Sequence, residues 1–261
     1  MGNNMGLDFS GQIVMVTGAS QGIGFGVARE FALRGATVHI LAQNNSIFEA
    51  AEQLTAETGK YVKGWLCDIT DSARVDEVFS QLESLDVFVA NAGLEDVTPI
   101  VERSRKAEAK FRRVIDINVI GTYLTTRAAV PLLKNGGRII ITSSIWGTTA
   151  VPELSAYVAS KHANIGFMRS MAQELGPSGI RVNAVCPGWV MTGPALNTLK
   201  VMAHERNISE EECKKLISDD QSLPGVQTVQ DVAQTYLYLA SPLAINITGQ
   251  KINADRGSIQ G

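Results

Sequence analysis

Short apolar runs alternate with amphipathic stretches from one end of this chain to the other, and that alternation leaves few folds open. The runs cover residues 13–17, 37–42, 61–66, 85–90, 138–142, 180–186 and 250–254, and the first stops at Gly18. Helical periodicity follows the first run through Arg34 (Ile23, Val27, Ala28, Phe31) and recurs over 47–58, 72–83, 103–134, 155–175 and 229–240. Strands buried on both faces and joined by helices of ten or more residues require a mainly parallel sheet. The pattern predicts an α/β, Rossmann-type, doubly wound fold with seven strands and helices on both faces. No repeat or linker divides it, so one domain is expected over 1–261. A polar excursion between Pro194 and Pro224, with Glu210, Glu211, Glu212, Lys214 and Lys215 clustered, reads as a lid over about 193–225 or as a solvated helix pair.

Composition removes several classes of function. Lys and Arg number 23 against 26 Asp and Glu, a net charge of −3 with no basic run, so no nucleic-acid partner is expected. No stretch approaches about 18 consecutive apolar residues, so no membrane span is expected. The opening MGNNMGLDFSG has no basic or apolar signal region, carries Gly6 where myristoylation wants Ser or Thr, and reads as a short disordered lead-in. Three scattered cysteines, Cys67, Cys186 and Cys213, form no disulfide framework or metal pair, which predicts a reducing, cytoplasmic setting and no metal.

The segment Val16-Thr17-Gly18-Ala19-Ser20-Gln21-Gly22-Ile23-Gly24 reads as a strand, a glycine-rich turn and a helix start. Such a turn lets backbone approach a diphosphate at the positive end of the helix. It lacks the Lys-Ser/Thr pair of a Walker A loop. The same residues also satisfy G-x-S-x-G, which would make Ser20 a hydrolase nucleophile served by His39, His162 or His204.

Further along, Ser143-Ser144 ends the fifth apolar run, and Tyr157 and Lys161 stand four apart, on one face of a predicted helix. A phenol, with an ordinary pKa of about 10, is a poor base at neutral pH. A neighbouring ammonium favours the phenolate, so Tyr157 can exchange a proton with a substrate oxygen that Ser144 holds.

Taken in order, Thr17-Gly18, Gly22, Gly24, Asn91-Ala92-Gly93, Asn118, Ser144, Tyr157-x-x-x-Lys161 and Pro187-Gly188 resemble the short-chain dehydrogenase/reductase family along nearly the whole chain. The resemblance implies hydride transfer between a nicotinamide and a carbonyl or alcohol carbon, interconverting a secondary alcohol and a ketone. It implies catalytic roles for Asn118, Ser144, Tyr157 and Lys161, with Asn118 holding a water linked to the lysine. Ser144, 13 residues before Tyr157, has the family's spacing and is preferred to Ser143. The implied cofactor-binding residues are Thr17, Gly18, Ser20, Gln21, Gly22, Ile23, Gly24, Ala42, Gln43, Asp68, Ile69, Asn91, Ala92, Gly93, Tyr157, Lys161, Pro187, Gly188, Val190 and Thr192. Among these, Asp68 would meet the adenine ring, and Pro187, Gly188 and Thr192 the carboxamide.

NAD and NADP both stay open. Ala42 stands where an acid would bind the NAD ribose, yet neither Gln43 nor Gln21 supplies the cation that a 2′-phosphate wants, which tilts the reading to NAD. The last third resembles the 3-hydroxybutyrate dehydrogenase branch in Tyr157-Val-Ala-Ser-Lys161-His162 and Cys186-Pro-Gly-Trp-Val190. It departs from that branch at Trp146 for His, Leu154 for Lys and Glu95 for Gln. Losing a cation and gaining Glu95, with Glu153 nearby, disfavours a small anionic hydroxy acid. These carboxylates suit the hydroxyls of a sugar or polyol, or a cationic group; alternatively they line a rim that faces water. Trp146 and Trp189 are stacking walls or ordinary packing. A 3-hydroxy acid dehydrogenase and a non-catalytic nucleotide sensor are the competing functions. Arg256, in Ala254-Asp255-Arg256-Gly257 where the family has Asp-Gly-Gly, reads as an exposed charge or, alternatively, as a group that reaches an anion or a neighbouring subunit. The apolar helices around 111–133 and 155–175 predict a homo-oligomer, in this family often a tetramer.

Overall fold

The computed structural model describes residues 7–260, so the lead-in at Met1–Gly6 lies outside the described residues. Strand β1 (Ile13–Thr17) sends Val14 and Val16 into one apolar core and Met15 into another, and all three are fully buried. Side chains alternate along a strand, so burial on both faces turns the sequence into an unbroken apolar run. Strands β2 (Thr37–Ala42), β3 (Val62–Leu66), β4 (Leu85–Ala90), β5 (Leu133–Thr142), β6 (Arg181–Pro187) and β7 (Lys251–Ala254) complete a parallel sheet in the order β3-β2-β1-β4-β5-β6-β7.

Helices α1 (Gly22–Leu33), α2 (Ser46–Thr58) and α9 (Val229–Ala240) cover one face. Helices α3 (Ser72–Phe79), α5 (Thr122–Ala129) and α6 (Ser155–Leu175) cover the other. The strand order reverses between β1 and β4, and in such sheets the ligand crevice opens at the carboxyl ends of that pair.

The single helix expected over 103–134 is broken. Ser104 caps α4 (Arg105–Ile115) by accepting the Ala107 N–H at 3.1 Å. A π-helical turn over Asp116–Gly121 follows, α5 resumes, and a 3-10 turn containing Pro131 ends the run. A π turn adds a single residue within an otherwise helical run, and no residue type in the sequence marks it. Strand β5 accordingly starts at Leu133 instead of residue 138, with a register shift between Leu85 and Val87 and Gly136 at φ 83°. The helix expected over 72–83 stops at Phe79.

The polar excursion folds as α7 (Gly193–Arg206) and α8 (Glu210–Asp219), which turn on Asn207 at φ 52°. Ser209 and Glu212 form a reciprocal cap on α8, and Glu210, Glu211 and Glu212 sit in its first turn, where the helix dipole favours acids. Leu199, Ala203 and Cys213 pack as a small cluster separate from both sheet cores. Among the described residues, no helix is long and apolar enough to cross a membrane.

Candidate active site

The glycine turn leaves β1 with Gly18 at φ 65°, where a Cβ would stand 2.6 Å from Ala92 Cα. A Cβ on Gly24 would lie 2.4 Å from the Gly18 carbonyl oxygen and 2.5 Å from Asn91 Nδ2. Only glycine therefore lets α1 start this close to β1 and β4. Thr17 Oγ1 accepts the Asn91 and Ala92 N–H groups, each at 3.0 Å, and Asn91 Nδ2 donates to the carbonyls of Thr17 (3.0 Å) and Gly18 (3.1 Å). Thr17 and Asn91 thus lock the two strands beneath the crevice.

Gln21, the N-cap of α1, makes no side-chain bond to the first-turn N–H groups, and that turn holds no acid. Gly22 takes φ 61°, and a Cβ there would meet Thr192 at 3.5 Å, so the turn fits the diphosphate of a dinucleotide. Ile23 is half-buried just inside the helix. The Ser20 hydrolase reading finds no base. His39 accepts Trp65 Nε1–H at 3.2 Å and is pulled down to about 4 by burial and Lys63, while His162 bonds the Val158 carbonyl. His204 stands on α7.

Strand β2 closes on buried Ala42, followed by exposed Gln43, Asn44 and Asn45. Asp68 is exposed after β3, and its Oδ1 accepts the N–H (2.9 Å) and hydroxyl (2.8 Å) of Thr70. The Ile69 side chain is buried against Gly121, which leaves its backbone, not its side chain, for a ligand.

Tyr157 and Lys161 occupy the first two turns of α6. Lys161 is 3% exposed; its Nζ donates to the Thr142 carbonyl at 2.9 Å and lies 5.3 Å from the centre of the Tyr157 ring. The two serines separate cleanly. Ser143 donates to the Lys161 carbonyl at 2.9 Å, whereas Ser144 accepts the Trp146 N–H at 3.2 Å and lies beside the Tyr157 phenol, where it favours the ionised form. Trp146 stands edge-on to Tyr157 at 6.2 Å. Asn118, fully buried in the π turn, accepts Leu94 N–H at 2.7 Å and donates to the Leu94 carbonyl and to Ser160 Oγ, both at 2.9 Å. Ser160 in turn donates to the Tyr157 carbonyl at 2.7 Å. Gly93 completes this wall: a Cβ there would be 3.3 Å from Asn118 Oδ1 and 3.4 Å from Lys161 Nζ.

Charge in this cluster runs against the sequence expectation. Burial and the Glu95 carboxylate push the Tyr157 phenol above its ordinary value, with Ser144 acting in the opposite sense. Burial pulls Lys161 down to about 8, against the charges of Cys186 and Glu95. Burial and the Glu95 charge both favour the neutral phenol, so the expected acidification of Tyr157 does not set its direction. Glu95 keeps an exposed surface, yet the protein packed around its carboxyl raises it, and Lys161 lowers it.

Other expected residues fall to either side of this centre. Glu153 is exposed at φ 66° and offers its carbonyl to Thr98 N–H at 2.6 Å, a rim position. Trp189 packs against the small cluster of α7 and α8. Pro187 ends β6, and a Cβ on Gly188 would lie 2.8 Å from Asp255. Val190 is buried and paired with Gln227, and Thr192 caps α7 through the Ala195 N–H at 3.4 Å. Two residues went unsuspected. Buried Thr98 ties the loop after β4 to α6 through Ser155 (2.8 Å) and Ala156 N–H (3.1 Å), and Thr142 holds Lys161 through its backbone, which no side-chain pattern can signal.

The model of a family described as Enoyl-(Acyl carrier protein) reductase matches residues 18–258. The chain is 32% identical over 253 residues to the uncharacterized oxidoreductase YxjF of Bacillus subtilis, spanning 94% of this chain and 97% of that protein. It is 30% identical over 255 residues to the D-beta-hydroxybutyrate dehydrogenase of Cupriavidus necator, spanning 95% and 98%. Its fold superposes with a TM-score of 0.90 on the L-sorbose reductase of Gluconobacter frateurii solved with NADPH and L-sorbose, at 25% identity, covering 98% of this chain and 100% of that one.

Proposed function

This chain belongs to the short-chain dehydrogenase/reductase family, and from that premise we propose that Ser144, Tyr157, Lys161 and Asn118 form the centre at which it works on a neutral, hydroxyl-rich ketone or alcohol. The protein is an NAD(P)-dependent oxidoreductase that interconverts a secondary alcohol and a ketone. The observation that carries the assignment is the Ser144–Tyr157–Lys161 cluster, with Ser144 beside the phenol and the buried ammonium 5.3 Å from the centre of its ring.

The glycine turn and the first-turn N–H groups of α1 would hold the diphosphate, and a bound reduced nicotinamide supplies the hydride to the carbonyl carbon. Tyr157, kept protonated by burial and Glu95, gives its hydroxyl proton to the carbonyl oxygen. Ser144 holds that oxygen as charge develops on it. Lys161, cationic below about pH 8, stabilises the phenolate left behind, and Asn118 keeps the Leu94 wall in place beside it. A phenol that holds its proton at neutral pH is available as the donor in ketone reduction.

For the substrate we propose a sugar or polyol framework. Glu95, charge-coupled to both Tyr157 and Lys161, suits accepting substrate hydroxyls and repels a carboxylate, and Leu154 supplies no cation to offset it. That the structural neighbour acts on L-sorbose supports this reading over a 3-hydroxy acid. For the cofactor we propose NAD, because Gln21, Gln43, Asn44 and Asn45 offer a 2′-phosphate no cation, although that neighbour was solved with NADPH. Residues 193–225 act as the substrate lid of a single domain. Phe111, Ile120 and Tyr123 leave an apolar face exposed on α4–α5, which a cytoplasmic homotetramer would cover.

Fluorescence titration with NADH and NADPH, followed by a turnover screen of sugars, polyols, simple ketones and 3-hydroxybutyrate, tests this function. Turnover concentrated on the hydroxyl-rich compounds is expected. Preference for 3-hydroxybutyrate would overturn the substrate, and binding without any turnover would favour a nucleotide sensor.

A further inference from the structure

Arg256 adopts a left-handed backbone, φ 58°, that glycine would take without strain, and Gly257 beside it lies at φ 78°. The residue is half-buried, not the exposed charge that its sequence position predicts. Its Nη2 donates to the Pro224 carbonyl, its Nε to the Leu223 carbonyl at 3.4 Å, and its own carbonyl accepts Leu223 N–H at 2.9 Å. Around it, Ser222 donates to the Gly257 carbonyl at 3.0 Å and Gln227 Nε2 to the Ala254 carbonyl at 2.8 Å. Asp255, 5% exposed, fixes the turn that carries it by accepting Gly257 N–H at 3.0 Å and Ile259 N–H at 2.9 Å.

These bonds join the segment that leaves α8 to the segment that leaves β7. The other end of the helix pair starts at Thr192, whose methyl group would lie 3.5 Å from a Cβ placed on Gly22 of the cofactor turn, and its approach is tied to the same segment through Met191 N–H and the Gln227 carbonyl at 2.8 Å. A guanidinium reaches two adjacent carbonyls because its donors form a planar fork, which a lysine lacks.

We propose that Arg256 is a positioning residue that clamps the trailing end of the 193–225 segment and so sets how firmly it closes over bound dinucleotide. The inference rests on the reading of that segment as a lid. Hydrogen exchange of the full-length chain, with the release rate of NADH or NADPH by stopped-flow fluorescence, tests it in Arg256→Gly and Arg256→Lys. Glycine relieves the backbone strain, so folding is retained. The glycine variant should exchange about ten-fold faster at amides of 208–225, and release dinucleotide about ten-fold faster, with the melting temperature and the exchange of β1, β4 and β5 unchanged. The lysine variant, with one donor group and no fork, should fall between. Unchanged exchange in Arg256→Gly would overturn the clamp. Faster exchange with unchanged release would leave the clamp standing and refute the lid.

Discussion

Asn118 holds Leu94 by both of its backbone polar groups, accepting the N–H at 2.7 Å and donating to the carbonyl at 2.9 Å. The clamp sets the Gly93–Glu95 wall against Lys161 and, through Ser160, reaches the Tyr157 carbonyl. Asn118→Asp keeps the acceptor and loses both amide donations in a fully buried site. We expect it to lower stability by about 1–3 kcal/mol in thermal or urea unfolding, and to lower kcat with it. Wild-type stability would remove the clamp from the account.

Glu95 should govern the alkaline limb of the reaction. Lys161 is cationic below about 8 and neutral above it, so kcat/KM for ketone reduction is expected to fall as pH rises through that value. The Glu95 charge holds the ammonium up, so Glu95→Gln should move the limb to lower pH. It should also admit anionic substrates better than the parent does. A limb that stays in place would show that Glu95 does not act on Lys161.

Much of this was legible in the chain because it depends on local spacing. Runs over 13–17, 37–42 and 85–90 became strands with those bounds, since burial on both faces makes them mostly apolar, with His39 and Asp86 as isolated polar positions. Tyr157 and Lys161 share a helix face by arithmetic alone. The Asp116–Gly121 π turn, the backbone carbonyl of Thr142 and the fork of Arg256 were not legible. Each depends on where distant segments meet. Nor does the sequence give the direction of the Tyr157 shift, because spacing reveals a charged neighbour but not how much water burial removes.

Gly24→Ala should damage fold and cofactor site together. Its Cβ would stand 2.4 Å from the Gly18 carbonyl and 2.5 Å from Asn91 Nδ2, backbone and a bonded amide that cannot move aside. We expect a loss of about 1–3 kcal/mol in unfolding free energy and at least ten-fold weaker dinucleotide binding by fluorescence titration. Normal binding would refute the close approach of α1 to the turn.

Cofactor choice is expected to follow the neutral stretch after β2. NADH should exceed NADPH in kcat/KM by about ten-fold, since a 2′-phosphate would meet Gln43, Asn44 and Asn45 without a cation. Introducing Gln43→Arg should reverse the ratio. A parent enzyme that favours NADPH would overturn the ribose assignment and leave the catalytic centre untouched.

The central claim is that the Tyr157 hydroxyl carries the proton, and Tyr157→Phe tests it most directly, with turnover and dinucleotide affinity measured on the same preparation. The account predicts a fall in kcat of at least about 10²-fold with the dissociation constant for NADH or NADPH within about two-fold of the parent. Turnover at the parent rate in that variant would contradict it.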